Sequence, residues 1–243
     1  MKLSDRLQAL ADYIQQGETM ADIGTDHGFL PIYLTEQGIC PHVILTDISK
    51  GSLEKALMDC RDYDACHEFD LRWGDGLTVL SPGEVDAVVI AGMGGLLMAE
   101  ILEKDPALSA SFEKFILQPR TQVGQLRYRL QRQGFQIQEE RLVRERARIC
   151  EVLLVRPGCV NKPVPAYEEV PELYDFPDTL VQMPGPLTAE YLQRALAKQK
   201  RNHEHMEMAR RIDEEAMRRT VRAIRRLERL IDEVKQREQS QIL

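Results

Sequence analysis

Between residue 19 and about residue 155, short β-branched runs alternate with longer stretches in which apolar residues recur every three or four positions. Short apolar runs read as strands buried on both faces, and three-and-four spacing reads as amphipathic helix; their alternation is the signature of a doubly wound parallel sheet. The strands so placed are Met20–Ile23, His42–Thr46, Phe69–Trp73, Val85–Ala91, Phe112–Gln118, Gly134–Leu142 and Ile149–Val155. Ahead of them, Leu3, Leu7, Leu10 and Ile14 share one face of a helix predicted over Met1–Ile14. Only Arg144–Arg148 separate the last two strands, too few residues for a crossover helix, so that pair is expected to be antiparallel.

Five parallel strands closed by an antiparallel ending are the plan of a class I, Rossmann-like methyltransferase sheet, here seven-stranded and mostly parallel. A fold by itself does not define an activity. From Pro157 to Leu187 the texture changes: seven of the twelve prolines fall there and neither period survives, which reads as a linker or extended wrap. After Pro186 the chain has neither Gly nor Pro, and Met217, Val221, Ile224, Leu227, Ile231 and Val234 follow the spacing of a coiled-coil seam. One helix of about 56 residues would run roughly 84 Å, so a fold-back hairpin is expected. The predicted organisation is therefore an α/β domain over 1–156, a Pro-rich linker over 157–187 and a helical coiled-coil domain over 188–243.

With 243 residues and 43% hydrophobic content, the chain is long enough for a full core. No run reaches the roughly 20 apolar residues of a membrane span. The five cysteines are odd in number and form no close CxxC pair, which suits free thiols in a reducing, cytoplasmic compartment. Cys60, Cys66 and His67 lack a fourth ligand nearby, so no metal is expected.

The chemistry concentrates at strand ends. In "MADIGTDHGFLP", a strand ends in Gly24 and passes through Asp26, His27 and Gly28 before a helix starts. Glycine there lets backbone approach a ligand that a Cβ would block. A nicotinamide fingerprint needs a third glycine, and an acid in the loop would repel pyrophosphate. Asp22 and Asp26 instead attract a cation, such as the ammonium and sulfonium of S-adenosylmethionine. Asp47 follows the second strand, where a carboxylate can accept from ribose hydroxyls; Asp75 and Gly76 follow the third, where a carboxylate can accept from an adenine amino group. Any one such acid also suits a turn or helix cap, but three in order behind successive strands point to a ligand. Ala91, Gly92 and Met93 end the fourth strand beside the same cofactor; Met93 also suits the core. His27 orients the loop or stacks.

"ADIGTDHGFLP", "GDGL", "IAGMGG" and "ILQP", in this order and spacing, resemble the bacterial tRNA (adenine-22-N1)-methyltransferase family (TrmK). The resemblance covers residues 3 to about 155 well and the C-terminal part more loosely. It implies a Rossmann-like domain joined to a coiled-coil domain, methylating N1 of an adenosine in the tRNA D-arm with S-adenosylmethionine. The chain departs from the family's usual pattern at Gly28-Phe29, where Ala-Tyr is usual, at Asp47, where Glu is usual, and at Arg120, where Asn is usual. The role of position 120 is therefore not carried over.

Adenine N1 carries an uncharged in-plane lone pair, so its methylation needs alignment and desolvation more than a strong base. The product is a cation, which a carboxylate stabilises; Asp26 is the candidate for that catalytic role, with binding of the cofactor ammonium as its alternative. RNA needs positive surface. Residues 120–148 hold eight arginines against three glutamates, and Arg120, Arg144, Arg146 and Arg148 fall near the carboxyl edge of the sheet. The tail from Thr188 carries +4, leaving −11 for the rest of a chain whose net charge is −7. Arg218, Arg222, Arg225 and Arg229 read there as RNA contacts with few acidic neighbours. Competing readings are a methyltransferase acting on a small molecule or protein, with the coiled coil serving dimerisation, and a non-catalytic RNA-binding adaptor; the oligomeric state stays open.

Overall fold

The computed structural model describes residues 1–63, 68–158, 163–182, 184–209 and 213–240. In chain order the elements are α1 (Asp5–Ala11), β1 (Met20–Ile23), α2 (Phe29–Glu36), β2 (Val43–Asp47), α3 (Lys50–Tyr63), β3 (Asp70–Trp73), a 3₁₀ turn (Gly76–Val79), β4 (Ala87–Gly94), α4 (Gly95–Lys104), α5 (Pro106–Ser109), β5 (Lys114–Thr121), α6 (Val123–Arg132), β6 (Phe135–Glu145), β7 (Arg148–Pro157), α7 (Pro171–Asp175), α8 (Thr179–Gln182), α9 (Thr188–Glu207) and α10 (Glu214–Ser240). The chain divides into two compact units: Met1–Gln122 with Arg129–Lys162, and Val123–Tyr128 with Pro163–Leu243.

In the first unit the strands form one seven-stranded sheet in the order β3-β2-β1-β4-β5-β7-β6. β1 to β5 pair in parallel, and β7 inserts antiparallel between β5 and β6. Strands covered on both faces must be apolar throughout; Met20, Ala21, Ile44, Leu45, Val88, Val89, Ile116 and Leu117 are all fully buried. Chain order reverses between β1 and β4, one leading outward to β2 and the other to β5. At such a switch point the connections diverge and leave a crevice at the carboxyl ends of the strands.

The seven predicted strands all form, with shifted ends. The last two run longer than the pattern suggested, pairing out to Glu145 opposite Arg148 with only Arg146 and Ala147 in the turn. Charged residues there conceal a two-residue hairpin. The first helix is shorter than Met1–Ile14: Ser4 caps it by accepting from the Leu7 amide, and it ends at Ala11. Cys66, His67 and Cys159 lie outside the described residues.

In the second unit the proline-rich stretch is not featureless. It carries α7, with Pro171 in the first turn where a missing N–H costs little, and α8. α9 and α10 pack antiparallel, Lys200 Nζ meeting Glu228 at 2.9 Å and Thr220 Oγ1 lying 3.8 Å from Met206 Sδ. The expected fold-back thus falls after Met208, where the apolar period is interrupted by charged residues.

One buried ion pair ties the lower part of the sheet. Lys114, 2% exposed, donates to the Tyr13 carbonyl at 2.7 Å and to both oxygens of Glu18 at 2.8 and 2.6 Å. Removing one partner of such a pair leaves a desolvated charge. Lys114→Ala is expected to lower the unfolding free energy by about 3 kcal/mol in urea titrations, with Glu18→Ala in the same chain recovering part of it. Equal stability of Lys114→Ala and the parent chain would contradict this.

Candidate functional site

The crevice at the switch point holds the acids of the glycine loop. Asp22 sits near the end of β1 with its carboxylate turned inward, where Thr25 Oγ1 donates to its Oδ2. Burial pushes its pKa up to about 6; the Thr25 hydrogen bond and the charge of Arg6 act against that rise, and the charge of Asp47 adds to it. No cation of the chain forms an ion pair with Asp22 among the described residues.

Two glycines shape the loop. Gly24 has φ +79°, and a Cβ there would lie 1.9 Å from Met93 Cε, so Met93 closes over the bare backbone. Gly28 has φ +65° and serves as the N-cap of α2, with Leu45 Cδ2 2.9 Å from where its Cβ would be. Between them Asp26 is largely exposed, its Oδ1 accepting from Lys55 Nζ at 2.9 Å and its Oδ2 3.5 Å from His27 Nε2. The Lys55 hydrogen bond holds the Asp26 carboxyl below the usual carboxylate range. His27 Nδ1 donates to Asp59 at 2.7 Å, its ring stacks on Phe29 with centroids 4.9 Å apart, and Tyr63 meets Phe29 edge-on at 6.1 Å.

The predicted residues Asp22, Gly24, Asp26, His27, Gly28, Ala91, Gly92 and Arg120 line one cavity of about 270 Å³. Asp47 lies at the next strand end, with Oδ1 accepting from the Ser49 amide at 2.6 Å. Asp75 and Gly76 line a separate small cleft beside Ile101 and Lys104, where Lys104 Nζ meets Asp75 at 2.6 Å. Met93 acts on the cavity through Gly24.

Arg120, Arg144, Arg146 and Arg148 line a broader groove of about 780 Å³ with Ser4, Asp5 and Glu145. Arg120 belongs to both lining sets. Arg6 supports the wall, bonding Glu145 at 2.8 Å and Gln118 at 3.3 Å.

The expectation that the C-terminal arginines have few acidic neighbours does not hold. Within the second unit Arg218 pairs with Glu214 at 3.3 Å, Arg222 with Glu172 at 3.0 Å and Arg229 with Asp178 at 2.8 Å. Two of those acids come from the proline-rich stretch, far away in sequence. Arg225 is exposed and has no ion pair among the described residues.

Reading strand ends missed Arg6, Thr25, Lys55, Asp59 and Lys104, because they act from helices or as partners of the acids. Lys55, Asp59 and Tyr63 do carry a signal in their four-residue spacing, which puts them on one helix face.

A switch-point crevice, a glycine loop after the first strand and acids at successive strand ends define a Rossmann-type methyltransferase domain, and the comparisons agree. The chain belongs to the methyltransferase-domain family, whose model matches residues 3–153. It is 37% identical over 158 residues to the tRNA (adenine(22)-N(1))-methyltransferase of Bacillus subtilis strain 168. That match covers 65% of this chain and 66% of the relative, a little under two thirds of its length. The crystal structure of the B. subtilis m1A22 tRNA methyltransferase TrmK superposes with a TM-score of 0.81 at 27% identity, covering 95% of this chain and 99% of that one. Streptococcus pneumoniae Sp1610 in complex with S-adenosyl-L-methionine gives 0.80 at 27% identity, over 95% of this chain and 100% of that one. The resemblance read from the motifs is thereby borne out.

The raised Asp22 carboxyl has a consequence without any ligand. A group whose folded pKa lies above its ordinary value of 3.8 contributes stability at low pH and loses it as pH rises through the folded value of about 6. The melting temperature of the parent chain relative to Asp22→Asn is therefore expected to fall between about pH 4 and pH 6 and to stay level above. A constant difference across that window would show that Asp22 is not held in a desolvated site.

Proposed function

We propose that this chain is a cytoplasmic, S-adenosylmethionine-dependent methyltransferase that methylates N1 of an adenosine in tRNA, at the family's position in the D-arm. The observation carrying this reading is the junction of two cavities at Arg120: one holds Asp22 and Asp26 beside Arg6, the other is lined chiefly by arginines, with Asp5 and Glu145. A cationic nucleoside cofactor suits the first, and a phosphate backbone beside it suits the second.

The donor set fits that cofactor. When bound, S-adenosylmethionine supplies an electrophilic methyl carried on a sulfonium. Asp22, desolvated and without an ion-pair partner, would hold the ammonium. Asp47, with one carboxylate oxygen left over from its bond to Ser49, would accept from ribose hydroxyls. Asp75 would accept from the adenine amino group in the cleft with Gly76. Ala91, Gly92 and Met93 bound the site from the fourth strand, Met93 by packing on Gly24. These roles leave Asp26, already in contact with Lys55, to face the positive charge that develops on the target base, with His27 fixing the loop.

The target base offers N1 only when unpaired, since that atom lies on the Watson–Crick edge. Arg144, Arg146 and Arg148 would hold phosphates flanking it, with Arg120 between base and backbone. In the second unit Arg218, Arg222, Arg225 and Arg229 are proposed as further RNA contacts. Arg225, exposed and without an ion pair among the described residues, is the strongest of them. The three others keep hydrogen-bonding capacity beyond their acidic partners.

Incubation with labelled S-adenosylmethionine and unmodified bulk tRNA is expected to yield N1-methyladenosine in the D-arm by nucleoside analysis. Cofactor binding without tRNA methylation would return the substrate to a small molecule or protein. Asp26→Ala is expected to lower kcat by roughly 100-fold or more. Charge reversal at Arg144, Arg146 and Arg148 is expected to flatten the dependence of tRNA affinity on salt by about one unit of log–log slope per lost phosphate contact, leaving cofactor affinity unchanged. An unaltered slope would remove the hairpin from the RNA site.

A further inference from the structure

The loop that carries Asp26 is held from outside by one face of α3. Lys55, Asp59 and Tyr63 stand at i, i+4 and i+8 of that helix, so they form a single row along it. The row meets the loop rung by rung: Lys55 to Asp26 at 2.9 Å, Asp59 to His27 at 2.7 Å, and Tyr63 edge-on to Phe29 at 6.1 Å, with His27 and Phe29 stacked on each other. Each contact alone is partly exposed and worth little to stability. Together they order every side chain between Thr25 and Leu30, in a stretch whose backbone turns at a left-handed glycine.

Why a methyltransferase loop needs such a clamp follows from the charges around it. Asp22 and Asp26 line the same cavity, and a cationic cofactor would be drawn to both. Among the described residues Asp22 has no ion-pair partner, whereas Asp26 has its own ammonium. Lys55 therefore makes the two carboxylates unequal, leaving Asp22 as the cofactor's counterion and keeping Asp26 ionised on the substrate side.

Resting on the tRNA methylation proposed above, we infer that Lys55 and Asp59 are positioning residues for methyl transfer: Lys55 sets the charge and direction of Asp26, and Asp59 locks the His27 ring that Phe29 packs on. Neither touches the reacting atoms. The groups facing Asp26 are Lys55 from α3 and His27 from its own loop. Asp59 stands behind His27, while Asp22, Arg6 and Arg120 line the shared cavity from β1, α1 and β5.

The test compares Lys55→Met, which keeps the apolar stem and removes the ammonium, with Lys55→Arg, which restores the cation. Lys55→Met is expected to lower kcat roughly tenfold or more while cofactor affinity changes less than about twofold and the melting temperature stays within about 2 °C. Lys55→Arg should recover most of the loss. The acid limb of the kcat profile should move to higher pH in Lys55→Met, because the hydrogen bond that holds the Asp26 carboxyl down is gone. Wild-type kcat with an unmoved acid limb would overturn the inference, as would a loss of rate matched by an equal loss of stability. The Asp26 carboxyl titration, followed by carbon-13 NMR on the full chain, needs no substrate. An unmoved titration in Lys55→Met overturns the clamp, while a titration that moves upward in a protein inactive on tRNA upholds the clamp and overturns the substrate reading.

Discussion

A desolvated carboxylate with no ion pair among the described residues governs the rest of the site. Asp22 sits near the end of a strand with parallel neighbours on either side, where burial lifts its pKa to about 6 and the Thr25 hydroxyl donates a hydrogen bond to it. Leaving a charge so placed is costly, and groups perturbed in this way cluster at ligand sites. In the proposed function the cavity around Asp22 admits such a ligand. Glycine at position 24 removes the Cβ that would collide with Met93, Gly28 starts α2 in a conformation other residues avoid, and the switch between β1 and β4 opens the crevice. A side chain at position 24 or 28 would intrude on this packing.

The proposed function rests on two neighbouring cavities that share Arg120. Asp22 and Asp26 line the glycine-loop cavity together with Arg6 and Arg120, the hairpin groove is lined by Arg120, Arg144, Arg146 and Arg148 with Asp5 and Glu145, and Arg6 bonds Glu145 and Gln118. In the proposed function a cationic methyl donor is drawn to the carboxylates and a polyanionic acceptor to the arginines, and the reacting centres would meet where the two cavities adjoin. An uncharged nucleophile such as adenine N1 needs no strong base there, only alignment and a nearby carboxylate for the charge that forms.

Much of this was legible before any coordinates. The parallel strands announced themselves because strands buried on both faces must be apolar, and the acids at the ends of β1, β2 and β3 followed from where each run stopped. The antiparallel ending was visible in the shortness of its link. What stayed hidden were partners. Lys55, Asp59 and Lys104 lie on helices, where charged residues on the surface look alike until the strand-end acids are placed beside them. Two of the C-terminal arginines misled for the same reason: Glu172 and Asp178 pair with Arg222 and Arg229 from a proline-rich stretch more than forty residues away, a distance no local charge count registers. Short helices in that stretch escaped because four or five residues cannot display a period.

The most direct measurement is calorimetry of S-adenosylmethionine binding near pH 6 in two buffers of different ionisation enthalpy. If Asp22 is the cofactor's counterion, binding draws the carboxyl into its ionised form and releases about half a proton per molecule bound at that pH, and Asp22→Asn releases none. Binding at full strength with no proton release in the parent chain, or the same release in Asp22→Asn, would contradict the account.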